Sequence, residues 1–325
     1  MNYSKQNYPI QTDPTWDIVD SSKMQDAMTC WRLFFFKHLA GLRGEGNSIH
    51  LEFGTAWHLA MEYLVLNNYS AESVESAMLL LEEHYRKFYP SELDGMLSPK
   101  NPARARAALQ DYTGRYRDDL ERYEVMYTEV GGSVSVGHDH RISFRMDTVL
   151  RETETNLIYS LDHKTGSQLN DQWRKKWKFA KQCGCYNHAL NCEFGVANVG
   201  GMIMNGTFFR KVKDDSKAER HEFERVSACF SKAEMGLWLR EVQNWFRQLE
   251  LQLEILSQDT VAGGMSAFPR SEQRCCDWGR TCEFWDFCAM WTNPLRQLSE
   301  GIVPLGFKRE FWNPLAEKTN KTIEA

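Results

Sequence analysis

Two short runs hold the side chains best suited to chemistry: Arg145-Met146-Asp147-Thr148-Val149 and Leu161-Asp162-His163-Lys164-Thr165. Both lie in sequence of period two, the mark of a strand whose successive side chains face opposite ways. In the first, Ile142, Phe144 and Met146 share one face and Ser143, Arg145 and Asp147 the other. In the second, Leu157, Tyr159 and Leu161 alternate with Ile158, Ser160, Asp162 and Lys164. Asp162 and Lys164 therefore point the same way, while His163 points away and offers mainly its backbone carbonyl. The polar stretch 151–156 between the runs reads as a hairpin loop. A register that sets Asp147 near Asp162 gathers two carboxylates and an ammonium on one patch of sheet. Carboxylates held together repel unless one is protonated or a cation lies between them. Such oxygen ligands suit a hard divalent ion, magnesium or manganese, which polarises a phosphoryl oxygen and generates hydroxide from bound water. Lys164 would orient that water or neutralise charge building on the phosphate. An isolated Asp-x-Lys is more often an ordinary surface ion pair, so the surrounding elements decide its weight.

Two helices supply that weight. The run Gly54-Thr55-Ala56-Trp57-His58-Leu59-Ala60-Met61-Glu62 opens a helix with His58 and Glu62 four residues apart, on one face. Gln182 and Tyr186 are spaced alike on a later helix. The pieces follow one order: Gly-Thr-x-x-His-x-x-x-Glu, Asp, Asp-x-Lys, Gln-x-x-x-Tyr. In this order the sequence resembles the PD-(D/E)XK nucleases, and within them the RecB-like branch. That branch takes in the nuclease domain of AddAB-type helicase-nucleases and the CRISPR-associated Cas-four-type exonucleases. The resemblance implies a restriction-endonuclease-like core with His58, Asp147 and Asp162 as metal ligands. It implies the His163 backbone carbonyl as a further ligand and Glu62 as a weaker one. Lys164 would be catalytic, and Gln182 and Tyr186 would position DNA or the lysine. The second-motif acid follows Phe144-Arg145-Met146, where the family usually has Gly-x-Ile.

The 325 residues can bury a substantial core, and 42% hydrophobic with 26% charged residues is the balance of a soluble globular protein. A net charge of −5 argues against a protein wrapped in nucleic acid, but it leaves room for a local basic groove. The segment from Gln172 to Lys181 fits one. It interleaves Arg174, Lys175, Lys176, Lys178 and Lys181 with Trp173, Trp177 and Phe179, the mixture expected where charge tracks a backbone and rings stack on bases. The competing reading is an amphipathic helix end. No apolar run approaches membrane-spanning length and the polar start lacks a signal-peptide core, so the expectation is a cytoplasmic protein with no membrane partner.

Nine cysteines without a secretory signal point to metal or thiol roles in a reducing compartment. Cys275, Cys276, Cys282 and Cys288 crowd among Phe268, Trp278, Phe284, Trp285, Phe287 and Trp291. Soft thiolates so clustered argue for zinc or an iron-sulfur centre. Cys276, Cys282 and Cys288 are evenly spaced, which favours Cys276 over Cys275, but three ligands are one short. Here too the chain is similar to the iron-sulfur members of the same branch. Cys30-Trp31-Arg32-Leu33-Phe34-Phe35 matches their Cys-Pro-Arg-x-Phe/Tyr-Tyr signature, with Trp31 in place of proline. That likeness supplies Cys30 as fourth ligand of a 4Fe-4S cluster. The alternatives are a structural zinc site and, for Cys30 alone, a small buried hydrophobe.

In chain order, residues 1–20 read as an irregular lead-in. Ser22 and Gln25 suggest a capping box for a helix through Cys30 to Gly41. Helices follow over 54–67, 70–89 and 102–127, and Arg104 and Arg106 lie on a face open to phosphate or to solvent. A buried strand is expected over 199–205, an edge hairpin over 206–213 and 221–226 turning at Asp214–Lys217, and a long helix from Ser231. Cys183, Cys185 and Cys192 read as packing residues on the Gln182 helix. Helix and strand thus alternate around a mixed sheet, an α/β class. One nuclease domain is expected over 21–292, with a helical block at 54–127, a catalytic core at 134–257 and the cysteine region at 268–292 joined by Cys30. Residues 293–325 read as an extended tail packing back through Phe307, Phe311 and Trp312 and ending in a disordered terminus.

The function expected is a magnesium- or manganese-dependent DNA exonuclease acting on single strands or duplex ends, with a recombination or replication protein as a possible partner. The resemblance adds a bacteriophage origin, and with it the host cytoplasm. The rival is a catalytically silent module that binds DNA ends or a partner on the same fold.

Overall fold

The computed structural model describes residues 2–211, 221–277, 280–316 and 319–325. The chain forms two compact units. One comprises Met1–Gly46, Gly132–Phe144 and Lys232–Glu317; the other comprises Asn47–Gly131, Arg145–Ser231 and Lys318–Ala325.

The first unit opens with two short 3-10 turns, Tyr3–Lys5 and Pro14–Asp17. Trp16 is buried and its indole N–H donates to the Leu39 carbonyl at 3.1 Å, so the irregular lead-in is packed. Helix α1 (Ser21–Thr29) is capped by Asp20, whose carboxylate accepts from the Lys23 N–H at 2.8 Å; the capping box expected at Ser22 does not form. The single helix expected through to Gly41 breaks at Cys30, which is extended at φ −163°. It resumes as α2 (Trp31–Phe34) and a π-helical turn, Phe35–Leu39. Gly41 ends it at φ +69°, a conformation open to glycine, with the Phe311 ring where a Cβ would stand. Strand β1 (Leu42–Gly44) follows.

The second unit carries α3 (Ile49–Leu66), α4 (Ala71–Arg86), α5 (Pro102–Arg115) and the single turn α6 (Asp119–Arg122). Phe53, Trp57, Met61, Leu64, Val74, Met78, Leu81, Leu109 and Tyr112 interdigitate as one apolar core. The helix expected to reach Tyr127 stops at Arg115, because residues 123 onward pair as strand β2 (Tyr123–Gly137). Strands β3 (His140–Glu152) and β4 (Ile158–Gly166) form the expected hairpin. Two basic-to-polar helices, α7 (Asp171–Lys176) and α8 (Lys181–Phe194), then lead to β5 (Val199–Phe209), parallel to β4. Strand β6 (His221–Ala228) pairs antiparallel with β5 as the expected hairpin; its turn at Asp214–Lys217 lies outside the described residues.

Back in the first unit, α9 (Lys232–Gln258) buries Trp238, Val242, Trp245, Phe246, Leu249 and Leu253, the face its period predicts. The cysteine region follows as α10 (Glu272–Cys275), the two-residue strands β7 (Cys276–Asp277) and β8 (Arg280–Thr281), and α11 (Trp285–Met290). Trp278, which the sequence placed among its aromatics, lies outside the described residues. The segment after it is not a bare tail. It forms α12 (Pro294–Ser299), and β9 (Phe307–Arg309) pairs with β1. In the second unit β10 (Lys321–Glu324) joins the sheet edge with Ile323 buried, so the terminus is ordered by backbone pairing. The resulting mixed sheet has the order β10-β2-β3-β4-β5-β6 with helices against it, a restriction-endonuclease-like α/β fold. Among the described residues no helix is long and apolar enough to cross a membrane.

Candidate active site

The catalytic candidates collect in the second unit where β3 and β4 part. The ladder runs to Thr148 opposite Leu161, which leaves Asp147 and Asp162 as the next residues on their strands. Period two then works as the sequence demands: Lys164 Nζ lies 2.5 Å from Asp162 Oδ2 on one face. The His163 ring turns to the other face, 6.2 Å from that of His58. Helix α3, anchored by Trp57 and Met61 in the core, brings His58 Nδ1 to 3.1 Å from Asp147 Oδ2. The same oxygen accepts from the His163 backbone N–H at 2.7 Å. From α8, Gln182 Nε2 donates to Asp162 Oδ1 and to the Tyr186 hydroxyl, each at 2.9 Å. Tyr186 in turn donates to the Arg145 carbonyl. The contacts form two groups on adjacent strands, His58–Asp147 with the His163 N–H, and Lys164–Asp162–Gln182–Tyr186.

The electrostatics follow from burial and pairing. Asp162 is almost wholly buried, and desolvation pushes its acid up to about 6 although Lys164 opposes the shift. Burial would also raise Asp147, but His58 overrides it and holds the carboxyl well below the usual range. Burial disfavours the charged forms of His58 and Lys164, yet the facing acids outweigh it, and both groups sit above their ordinary values. His163 is pushed down to about 3 by burial. Its Nδ1 accepts from the Asn205 amide at 2.8 Å, and that amide also reaches the Tyr112 hydroxyl at 2.8 Å. Arg225 closes this buried network onto Asn205 at 3.1 Å and Asp119 at 2.8 Å.

Two carboxylates beside an imidazole are a donor set that fits a hard divalent cation. Asp162 Oδ2 is buried against the Lys164 ammonium at 2.5 Å. Among the described residues no group of three or more His, Cys, Asp or Glu side chains is set closely enough to hold an ion as it stands. The reason is visible in the partners, since Asp147 is held by His58 and the His163 N–H, and Asp162 by Lys164 and Gln182.

Several candidates fall elsewhere. Glu62 is held by other partners: its carboxylate accepts from Thr128 at 3.0 Å and from Asn320, just before β10, at 2.9 Å. Trp173 and Trp177 do not offer rings to bases, because both are buried. Trp173 packs edge-on against Phe208, and its ring would meet a Cβ at Gly206 at 2.6 Å. Arg174 pairs with Glu224 at 2.9 Å, Lys178 donates to the Cys229 carbonyl at 2.9 Å, and the Lys176 ammonium rides 4.2 Å over the Trp177 ring. Lys175 is exposed. Arg106 pairs with Glu75.

Glu129 escaped the sequence reading. It is buried on β2 at φ +47°, pairs with Arg145 at 2.6 Å, and its acid is raised by burial, with Asp147 and Glu62 adding to the shift. No local pattern signals it, since its left-handed backbone interrupts the strand period.

In the first unit, Cys30, Cys275, Cys282 and Cys288 line one cavity of about 130 Å3 with Arg32, Arg270 and the rings of Phe36, Phe284 and Trp285. Cys276, the ligand favoured from spacing, is exposed and absent from that wall. The two-residue strand that begins at Cys276 turns it outward, and the Cys282 N–H instead donates to the Cys275 carbonyl at 3.0 Å. Among the described residues no three of these thiols are set closely enough to hold a metal ion as they stand.

A mixed sheet flanked by helices, with Asp147 and Asp162-His163-Lys164 on adjacent strands, is the arrangement of a restriction-endonuclease-like fold. The chain belongs to the PD-(D/E)XK nuclease superfamily, whose family model matches residues 21–289. No curated protein matches it at a significant level. A solved structure described as "Crystal structure of SSO0001" aligns over 70% of this chain and 82% of its own, at 11% identity and a TM-score of 0.26. A likeness that slight bears on neither fold nor function.

Proposed function

We propose that this nuclease is a magnesium- or manganese-dependent DNA exonuclease acting on single strands or duplex ends in recombination, repair or replication. The observation that carries the reading is the placing of the Asp147–His58 and Asp162–Lys164 pairs on adjacent strands, with Gln182 of α8 resting on Asp162. His58, Asp147 and Asp162 would hold the cation, with the His163 carbonyl as a further ligand. When bound, it would supply Lewis acidity toward the scissile phosphate and a more acidic water. Lys164 orients that water for in-line attack on phosphorus and offsets the developing negative charge. The water oxygen would bond to phosphorus as the bond to the 3′ oxygen breaks, and the proton given up by the water would pass through solvent to that 3′ oxygen, leaving a 5′ phosphate and a 3′ hydroxyl. Gln182 and Tyr186 keep Asp162 and the Arg145 backbone in place while this happens. The four cavity-lining thiols suit a 4Fe-4S cluster that has volume of its own, with Cys275 in the place first given to Cys276; its part is to pin the fold. The basic face of α7 tracks the strand, in a cytoplasmic setting, the host's if the chain is phage-borne.

Lys164→Ala and Asp162→Ala should each abolish metal-dependent cleavage while leaving DNA binding. The assay uses single-stranded, blunt and circular DNA labelled at either end, with each divalent ion in turn. Wild type that binds but never cuts would establish the silent binding module instead. Iron analysis and visible absorbance of anaerobically purified protein test the cluster, and zinc without iron would overturn it.

A further inference from the structure

This inference rests on the nuclease reading and concerns the side chain that receives the substrate's bases. Of the three rings between residues 171 and 181, two are buried and Phe179 is 84% exposed, against 43% for Trp285 and 40% for Trp312. The ring is held out on a firm support. Phe179 ends a 3-10 turn, Trp177–Phe179, whose Trp177 is buried, and the next N–H, of Ala180, donates back to the Trp177 carbonyl at 3.3 Å. Helix α8 starts at Lys181, so Phe179 precedes by three residues the Gln182 whose amide rests on Asp162.

The surroundings of the ring select the partner. The residues next to Phe179 in the chain are cations rather than apolar side chains: Lys175 and Lys176 are exposed, Arg174 is paired with Glu224 at 2.9 Å, and Lys178 donates to the Cys229 carbonyl. A nucleotide strand repeats one flat face and one anion, which matches a lone ring set among ammonium groups. Within a duplex the base faces are covered by their stacked neighbours, so away from its ends the ring is of use to unpaired bases. We propose that Phe179 is a stacking platform for a base of single-stranded DNA entering the site, with the neighbouring lysines on its phosphates.

The test measures binding of labelled oligothymidylate to the full chain by fluorescence anisotropy, with calcium in place of the catalytic ion. Phe179→Ala should weaken binding roughly 5- to 150-fold, the span of base–aromatic stacking, and Phe179→Trp should return it to near wild type. On an abasic strand of equal length, wild type and Phe179→Ala should bind alike. Phe179→Ala that binds oligothymidylate as wild type does, or that loses as much on the abasic strand, overturns the proposal. If wild type cuts DNA and the variant is unaltered, the stacking inference alone fails. If wild type neither binds nor cuts DNA with any ion, the nuclease reading fails and takes this one with it.

Discussion

Tyr186 ties two strands' worth of chemistry with one hydroxyl, accepting from Gln182 and donating to the Arg145 carbonyl two residues before Asp147. Burial holds its phenol well above the ordinary value, so it remains a donor across the working pH range. Tyr186→Phe should therefore cost about 1 kcal/mol of stability, the net worth of a typical hydrogen bond. It should also lower kcat more than it raises KM, because Gln182 loses the partner that aims it at Asp162. Denaturant titration and steady-state kinetics on one preparation separate the two effects, and an unaltered kcat would remove Tyr186 from the positioning set. At this scale the pair Asp162 and Lys164 was legible, since strand alternation fixes their common side whatever lies around them. Glu129 was not, because a residue at positive φ obeys no period.

At the scale of elements, β5 shows how packing sets what a strand tolerates. Gly206 lies on that strand against Trp173 of α7, and a Cβ there would stand 2.6 Å from the indole ring and 2.8 Å from Phe208. Gly206→Ala should destabilise the protein by about 1–3 kcal/mol, the usual cost of overpacking. A thermal or urea midpoint equal to wild type would show that Trp173 can move aside. The same contact explains the misplaced tryptophans. Alternating basic and aromatic residues read equally well as a nucleic-acid track or as a half-buried helix, and only the neighbouring strand decides which rings are taken. Helices fared likewise: α3, α4 and α9 follow from their apolar periods. The run through Cys30 looks continuous in sequence but bends there, where the Arg32 N–H turns to the Pro269 carbonyl at 3.2 Å.

For the whole molecule, acid sensitivity can be read from a buried pair in the first unit. His38 Nε2 lies 2.7 Å from Asp26, and Lys37 pairs with the same oxygen at 2.9 Å. Burial lowers His38 from its ordinary 6.5, so the unfolded chain binds more protons as pH falls through that value and stability declines. Burial opposes the Asp26 charge, but His38 and Lys37 outweigh it and hold the acid below 3.8. Its contribution is complete above 3.8 and is lost as pH falls below it, so both groups act in one direction. Asp162 and His58, both raised, act in the opposite sense between pH 7 and 5, so the pair is read by difference: from pH 7 to 5 the urea midpoint of His38→Gln should fall less, or rise more, than that of wild type. A variant midpoint that follows the wild-type pH dependence would contradict the assignment.

By itself the sequence determined the α/β class, the order of the motifs, the shared face of Asp162 and Lys164, and the crowding of thiols near Phe284. These are consequences of local period and of residue chemistry, which hold along a single strand or helix. Only the tertiary structure decided that Cys275 lines the cavity instead of Cys276, that Glu62 answers to Thr128 and Asn320, that Phe179 is the ring left free, and that the terminus closes the sheet edge. Each of those is settled by contacts between residues distant in the chain, where close packing allows one occupant and the sequence names several.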